Sequence, residues 1–298
     1  MFENILGNDK IKELLETSIK NNKVSHSYLF VGMSGIGKKM IAKEFSKAIL
    51  CLNENKYCNK CKSCIEFDSN NNPDFFCLEP DGNSIKIDMI RELQKNIQEK
   101  PIISSRKVYI INDADKMTKD AQNCLLKTLE EPPEFASIIL VGENENEFLA
   151  TIKSRCMILH FNPIDDEQMK DYLIKNYNMQ VSSNQLDLFQ GSIGKAISLK
   201  DKQDIYLKVE ELIENMENKN IIDLVKQAEI LYKSKDEIYE MLDYINIILL
   251  KKAKMDERYT NCIQIVENTK RRLNQNANYD MSIDNMLFNM WEEIIWKI

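Results

Sequence analysis

The segment VGMSGIGKKM, residues 31–40, contains most of a phosphate-binding loop. The pattern for such a loop is G-x-x-x-x-G-K followed by Ser or Thr. Gly32, Gly37 and Lys38 occupy the required positions, and Gly35 lies between them. Backbone N–H groups and the N-terminus of a following helix would form a cradle for an anion, and Lys38 would add a positive charge. These residues therefore predict a phosphate loop.

Two positions that would support a metal-bound nucleotide depart from the pattern. Lys39 stands where a Ser or Thr hydroxyl would coordinate Mg²⁺. In the segment YIINDADKM, Asn112 takes the place of the metal-side carboxylate, and Asp113 replaces the glutamate that would polarise water. In the other possible register Asp113 is the metal acid, but Ala114 then replaces the glutamate. We therefore expect the loop to be weak or vestigial, without productive binding of ATP and Mg²⁺.

Four cysteines have the spacing of a metal site. Cys51, Cys58, Cys61 and Cys64 follow the pattern C-x6-C-x2-C-x2-C. Four thiolates this close in sequence can complete a tetrahedral Zn²⁺ site, and no position would remain open for a catalytic water. The pattern predicts a structural zinc ion within residues 51–64, with unligated thiols as the alternative.

In the first 162 residues, strand-like segments alternate with helical ones, and these elements would position the loop and the cysteines. Apolar runs with strand character alternate with helical patterns, which is typical of a parallel sheet with helices on both faces. Ligands of such sheets bind at the carboxyl ends of the strands, where the glycine loop would lie. The strands are expected at residues 27–31, 74–78, 107–111, 137–141 and 157–161.

The remainder of the chain has a different composition. All eight glycines lie at or before Gly194 and all six prolines between Pro73 and Pro163, so the last 104 residues contain neither. This stretch is rich in helix-forming residues and predicts helices packed on helices. Ser234 and Glu237 have the spacing of a capping box before a long amphipathic run.

Charge and hydropathy exclude some classes of protein. The net charge of −7 argues against a protein that binds nucleic acid alone through a broad basic surface, although local contacts stay possible. The sequence has no apolar run long enough to span a membrane and no signal-peptide pattern at its start. We expect a cytoplasmic protein, in which cysteines are thiols or metal ligands rather than disulfides.

Two further motifs bring a resemblance to a known family. They are LLKTLEEPP, residues 125–133, and the Ser-Arg-Cys sequence at residues 154–156. Together with the glycine loop and the four-cysteine module, they resemble the clamp-loader branch of the AAA+ proteins. The most similar family is that of the delta-prime subunits of bacterial DNA polymerase III clamp loaders. The resemblance covers residues 1 to about 200, and the helical tail is similar only in length and type.

The resemblance implies a role for one arginine. In this family the arginine of Ser-Arg-Cys, here Arg155, reaches into the ATP site of a neighbouring subunit. The family's ATPase subunits, tau and gamma, keep the loop threonine, the Asp-Glu pair and a lid arginine. Here the lid motif resembles GSIGKAISL, residues 191–199, with Gly194 at the arginine position, and the sensor position after the fourth strand is Glu143.

The resemblance also implies an organisation and a set of partners. Residues 1–162 would be the AAA+ α/β domain with the zinc module, residues 163–203 a helical lid, and residues 204–298 a helical collar domain for assembly. The chain would complete an ATP site on a tau/gamma-type neighbour, assemble with a delta subunit, and help place the sliding clamp on primed DNA. Any DNA polymerase activity would belong to the assembled holoenzyme and not to this chain.

Two other functions stay open at this point. One is an active clamp-loader ATPase of the tau/gamma type with an unusual loop, which the turnover of Mg-ATP by the isolated chain would reveal. The other is a zinc-containing DNA-binding adaptor with a relic loop, for which salt-dependent DNA binding by the isolated chain would be the sign.

Overall fold

The computed structural model describes residues 1–54 and 56–296. The chain divides into two compact units. The first unit comprises Met1–Tyr172 and Gly191–Lys195, and the second comprises Leu173–Gln190 and the chain from Ala196 onward. None of the helices in the described part of the chain is both long and apolar enough to cross a lipid bilayer.

The first unit is built on a parallel sheet, as the alternating pattern predicted. The strands are β1 (Ser27–Val31), β2 (Phe75–Leu78), β3 (Lys107–Ile111), β4 (Ala136–Gly142) and β5 (Met157–His160). Their order in the sheet is β2-β3-β4-β1-β5, and every neighbouring pair is parallel. Where a predicted strand end differs from the observed one, the difference is one residue.

Helices cover both faces of this sheet. They are α1 (Asp9–Lys20), α2 (Lys38–Leu50), α3 (Lys62–Asp68), α4 (Ile87–Ile97), α5 (Lys119–Glu130) and α6 (Ala150–Lys153). Successive strand residues point to opposite faces, so β1 places Tyr28 and Phe30 in one apolar core and Leu29 and Val31 in the other. A sheet with both faces buried needs strands without polar alternation, which explains the continuous apolar runs.

The second unit is helical, as the composition predicted. The remaining helices are α7 (Asp166–Tyr177), α8 (Ser183–Phe189), α9 (Ile193–Ser198), α10 (Gln203–Glu214), α11 (Ile221–Gln227), α12 (Glu229–Lys233), α13 (Ile238–Ala253), α14 (Arg258–Asn274) and α15 (Tyr279–Trp296). Helices α7 and α9 each contribute residues to both units. Within the second unit, α14 packs against α13 and α15.

One predicted helix start in this region is wrong. Ser234 makes no capping hydrogen bond with its side chain, and a short 3₁₀ turn at Lys235–Glu237 precedes α13. A capping box forms at the start of α8, where Ser182 and Gln185 bond each other's backbone N–H groups. The side-chain hydroxyl of Ser182 also donates to Glu210, a buried residue of α10.

Candidate functional site

The glycine loop joins β1 to α2 and has the backbone of a phosphate loop. Gly35 and Gly37 have φ values of 72° and 96°, which side chains disfavour. Lys38 begins α2 and is only 7% exposed. Its Nζ donates to the carbonyl oxygens of Gly32 and Met33, both at 2.6 Å. Burial lowers the pKa of Lys38, although nearby carboxylates act in the opposite direction. The charge of Lys38 is therefore directed at the loop's own carbonyl groups.

A second segment of the same unit packs against this loop. The backbone N–H of Gly194 donates to the carbonyl oxygen of Gly35 at 2.9 Å. A Cβ atom added to Gly194 would lie 2.7 Å from Cα of Gly35, and one added to Gly35 would lie 2.3 Å from Oγ of Ser192. Real Cβ atoms do not approach other atoms this closely. Gly194 thus has no room for a side chain in this arrangement.

Lys39 replaces the expected hydroxyl and forms an ion pair. Its Nζ lies 2.6 Å from Oε1 of Glu79, and the side-chain amide of Asn112 donates to Oε2 of Glu79 at 2.9 Å. Hydrogen bonding to Glu79 raises the pKa of Lys39. Burial would raise the pKa of Glu79, but the bonds from Lys39 and Asn112 hold it below its ordinary value. An ammonium group and an amide are therefore joined through one carboxylate beside the loop.

The topology explains why these three residues meet. Glu79 directly follows β2, and Asn112 directly follows β3, its neighbour in the sheet. The carboxyl ends of parallel strands lie at one edge, and the helix after the glycine loop begins at that same edge. Glu79 is not among the residues predicted from the sequence. Its position directly after an apolar strand was the available signal.

Carboxylates also lie around Lys38. Glu143, Asp115 and Asp113 each act on its charge, in that order of strength. Asp113 has a left-handed backbone with φ of 47° and accepts a bond from Lys116 at 3.1 Å. Without a metal cation, carboxylates beside a phosphate loop oppose the binding of another anion. Lys38 is therefore surrounded by carboxylates as well as by the loop's own carbonyl groups.

The four predicted cysteines lie together. The Sγ atoms of Cys51, Cys58, Cys61 and Cys64 are all within 4.8 Å of one another. Zn–S bonds of about 2.3 Å in a tetrahedron place sulfur atoms roughly 3.8 Å apart, and the Sγ of Cys51 lies 3.6 Å from that of Cys58 and 4.0 Å from that of Cys61. Backbone N–H groups of Lys60 and Cys61 lower the pKa of Cys58 to about 6. The donor set, the spacing and this N–H bonding fit a tetrahedral metal ion.

Polar contacts attach the cysteine module to α2. Lys47, which is 6% exposed, lies on α2, and its Nζ is 2.7 Å from a carboxylate oxygen of Asp68 at the end of α3. The same Nζ lies 5.5 Å from the centre of the Tyr57 ring, and the Tyr57 hydroxyl donates to Glu44. Order in residues 51–64 is thereby coupled to the helix that begins at the phosphate loop.

Arg155 follows α6 and is bonded on two edges of its guanidinium group. Nη1 donates to the carbonyl oxygen of Thr151 at 2.8 Å and to Oγ of Ser154 at 3.3 Å. Nη2 lies 2.6 Å from Oε1 of Glu130, the last residue of α5. The side chain of Arg155 is 32% exposed. Its partners lie on α5, on α6 and at Ser154 directly after α6, and among the described residues none of them belongs to the phosphate loop.

The structure thus groups the predicted residues in three places. Gly32, Gly35, Gly37 and Lys38 form the loop, with Lys39 and Asn112 joined beside it through Glu79. The four cysteines form one cluster. Arg155 stands at a separate, partly exposed position beside Glu130.

Comparison with known proteins identifies similar chains. A family described as "DNA polymerase III, delta subunit" matches residues 7–165. The DNA polymerase III subunit delta' of Bacillus subtilis is 39% identical over 167 residues, which is 56% of this chain and 51% of that protein. The subunit tau/gamma of Haemophilus influenzae is 31% identical over 210 residues, which is 67% of this chain and 30% of that protein.

A longer match extends into the helical tail. The DNA polymerase III subunit tau of Bacillus subtilis is 29% identical over 284 residues, covering 85% of this chain and 50% of that protein. The chain therefore spans about half or less of the length of these curated relatives.

Proposed function

The chain belongs to the DNA polymerase III delta-subunit family, and from this membership we propose that it is a delta-prime-type clamp-loader subunit that does not hydrolyse ATP itself. It supplies Arg155 to the ATP site of a neighbouring tau/gamma-type subunit. Together with a delta subunit, it helps open the sliding clamp and place it on primed DNA during replication. The family membership confirms the resemblance found in the sequence.

The observation that carries this proposal is that Lys39 and Asn112 both bond to Glu79. A phosphoryl-transfer site needs Mg²⁺ held by a hydroxyl and a carboxylate. Here the cationic Nζ of Lys39 is 2.6 Å from Glu79, so a metal ion at this place would meet a positive charge. The paired carboxylate of Glu79 offsets part of this charge, but Lys39 offers no oxygen ligand to the metal ion. Loss of turnover in this chain follows.

The environment of the loop supports the same conclusion. Gly194 lies against Gly35, which leaves the loop without a lid arginine, and the carboxylates near Lys38 oppose phosphate. An active ATPase of the tau/gamma type would keep a lid arginine at the position of Gly194. We therefore favour a non-hydrolysing subunit over the ATPase that the sequence left open.

Arg155 has the properties of a group that acts on another subunit. Its guanidinium is permanently charged and suits phosphate oxygens, it is 32% exposed, and it makes no contact with the loop of its own chain within the described residues. A finger supplied across an interface stabilises the charge on the transferred phosphoryl group. Arg155 is the residue we assign to the neighbour's reaction.

The other parts of the proposal rest on further observations. The cysteine cluster holds one structural Zn²⁺, which keeps residues 51–64 folded against α2. Residues 163–203 serve as the lid and residues 204–298 as the collar that assembles with partners.

The test is turnover in a loader reconstituted with the natural partner subunits. Arginine fingers contribute roughly 10³- to 10⁵-fold to a single site, so Arg155→Ala should abolish the turnover of the adjacent site, while total turnover falls less because other sites continue. Lys38→Ala, which alters only this chain's own loop, should have a much smaller effect. Full DNA-stimulated turnover and clamp loading with Arg155→Ala would contradict the proposal.

A second measurement tests the loss of hydrolysis. Calorimetry with the isolated chain should detect no tight magnesium-dependent binding of ATP, and the chain should release no phosphate at steady state. Tight Mg-ATP binding with continuous phosphate release would return the chain to the ATPase class.

A further inference from the structure

We propose that Glu130 is a positioning residue for Arg155: its carboxylate holds the guanidinium in the conformation that is presented to the neighbouring subunit's nucleotide. This inference rests on the proposed function, because it concerns how the arginine of that function is prepared. The pairing is direct, with Nη2 of Arg155 at 2.6 Å from Oε1 of Glu130.

The location of Glu130 does not serve the stability of its own helix. Glu130 is the last residue of α5, and Glu131 follows it. The C-terminal end of a helix carries partial negative charge and favours basic side chains. Two acidic residues at this end are therefore unfavourable for α5, whose last turn also holds the basic residue Lys127, and Glu130 is paired with the guanidinium of Arg155.

The contacts of Arg155 hold its side chain in place but do not use all N–H groups of the guanidinium. Two N–H groups of Nη1 donate to Thr151 and Ser154, and one of Nη2 donates to Glu130. A guanidinium has five N–H groups, so two remain without a partner among the residues that the structure describes. These two can donate to phosphate oxygens while Glu130 keeps its bond.

Glu130 and Arg155 come from different elements, which makes the contact a constraint on geometry. Arg155 follows the short helix α6, and its side chain is long and flexible. A partner on α5 removes rotamers that the backbone of α6 alone would permit. Restricting the side chain before the neighbour's nucleotide arrives reduces the entropy lost when the arginine engages it.

Because Glu130 and Arg155 are both partly exposed, their ion pair does not prevent Arg155 from binding a phosphate. The side chain of Glu130 is 48% exposed and that of Arg155 is 32% exposed, so water and salt screen their attraction. A strongly buried pair would compete with the phosphate for the guanidinium. A screened pair orients the guanidinium and leaves the two remaining N–H groups available to phosphate.

The experiment uses the reconstituted loader and takes Arg155→Ala as its scale. The turnover that Arg155→Ala removes defines the arginine-dependent part. Misplacing a catalytic group can cost about 10²-fold, and because Thr151 and Ser154 still hold one edge, we expect Glu130→Ala to lower the arginine-dependent part by roughly 10-fold. The apparent KM for ATP should not change, since the neighbour's loop binds the nucleotide.

Three further variants separate positioning from folding. Glu130→Gln keeps an oxygen acceptor at the same reach and should retain most of the turnover. Glu131→Ala removes the adjacent carboxylate, which does not contact Arg155, and should leave turnover unchanged. In the Arg155→Ala background, Glu130→Ala should cause no further loss.

The outcomes distinguish this inference from the function on which it rests. Full or raised turnover with Glu130→Ala, while Arg155→Ala is impaired, overturns the positioning role alone. An equal loss from Glu130→Ala with and without Arg155 also overturns it, because the role would then be structural. Full turnover with Arg155→Ala overturns the proposed function, and the positioning role fails with it.

Discussion

The contact between Gly194 and Gly35 leads to a quantitative prediction. In Gly194→Ala, the new Cβ would lie 2.7 Å from Cα and 3.2 Å from the carbonyl oxygen of Gly35, and both atoms belong to the backbone. Overpacking of this kind costs about 1–3 kcal/mol. The hydrogen bond from Gly194 N–H to Gly35, at 2.9 Å, would be lost with a further cost of about 0.5–1.5 kcal/mol.

A helical preference offsets part of this cost. Gly194 lies within α9, where alanine is favoured over glycine by about 1 kcal/mol. We therefore expect Gly194→Ala to lower the free energy of unfolding by about 0.5–3.5 kcal/mol. Local detachment of residues 191–195 from the loop would relieve part of this cost. A local loss of about 2 kcal/mol corresponds to roughly 30-fold faster hydrogen exchange of the residue 194 amide.

The assays are urea unfolding and native-state amide exchange. Gly82→Ala is the control, because Gly82 has the opposite combination of properties. Its φ is 62°, which disfavours a side chain, but no atom lies within 4 Å of an added Cβ. Gly82→Ala should lose stability through backbone strain without changing exchange at residue 194. If Gly194→Ala alters neither the free energy of unfolding beyond about 0.5 kcal/mol nor the exchange at residue 194, the close packing of this segment on the loop is refuted.

Two further predictions concern the metal centre and the ion pair beside the loop. Protein purified without chelator should contain one zinc ion per chain, with Zn–S distances of about 2.3 Å by X-ray absorption. Cys61→Ser should lose the metal, whereas Cys124→Ser, outside the cluster, should keep it, and a zinc-free preparation would count against the site. Chelation should loosen residues 51–64 while the sheet stays folded. The depressed pKa of Glu79 means that its ion pair stabilises the protein above the ordinary value of 4.5 and loses this effect as pH falls through the lowered pKa. Because both partners are nearly half exposed, Glu79→Gln should reduce stability by only about 0.5 kcal/mol at pH 7. The loss should shrink as the pH falls through the lowered pKa of Glu79, and a loss that stays constant with pH would show that the carboxylate charge is not responsible.

The features that could be predicted from the sequence are mostly local. The glycine loop spans seven residues, from Gly32 to Lys38, and the four cysteines lie within residues 51–64, so each group is brought together by short loops that cost little entropy to close. The apolar runs predicted the sheet because strands of a parallel sheet are buried on both faces and therefore carry apolar residues along their whole length. Composition predicted the helical character of the second unit in the same way.

The contacts that decide the state of the phosphate loop are not local. Lys39 meets Glu79 across forty residues, and Gly35 meets Gly194 across more than one hundred and fifty. The sequence showed that Lys39 and Gly194 depart from the family pattern, but not which groups they contact. Those partners depend on the order of strands in the sheet, which places the ends of β2 and β3 side by side.

The same distinction applies to Arg155 and to the false helix start at Ser234. The motif around Arg155 is visible in the sequence, whereas its bond to Glu130 requires the end of α5 to lie beside the turn after α6. Ser234 has the right spacing to cap a helix, yet the chain there forms a 3₁₀ turn, while Ser182 forms the box instead. Local spacing determines which side chains are able to interact, and tertiary packing decides which of them do, because the energy of a cap or an ion pair is small beside that of burying the apolar face of a helix.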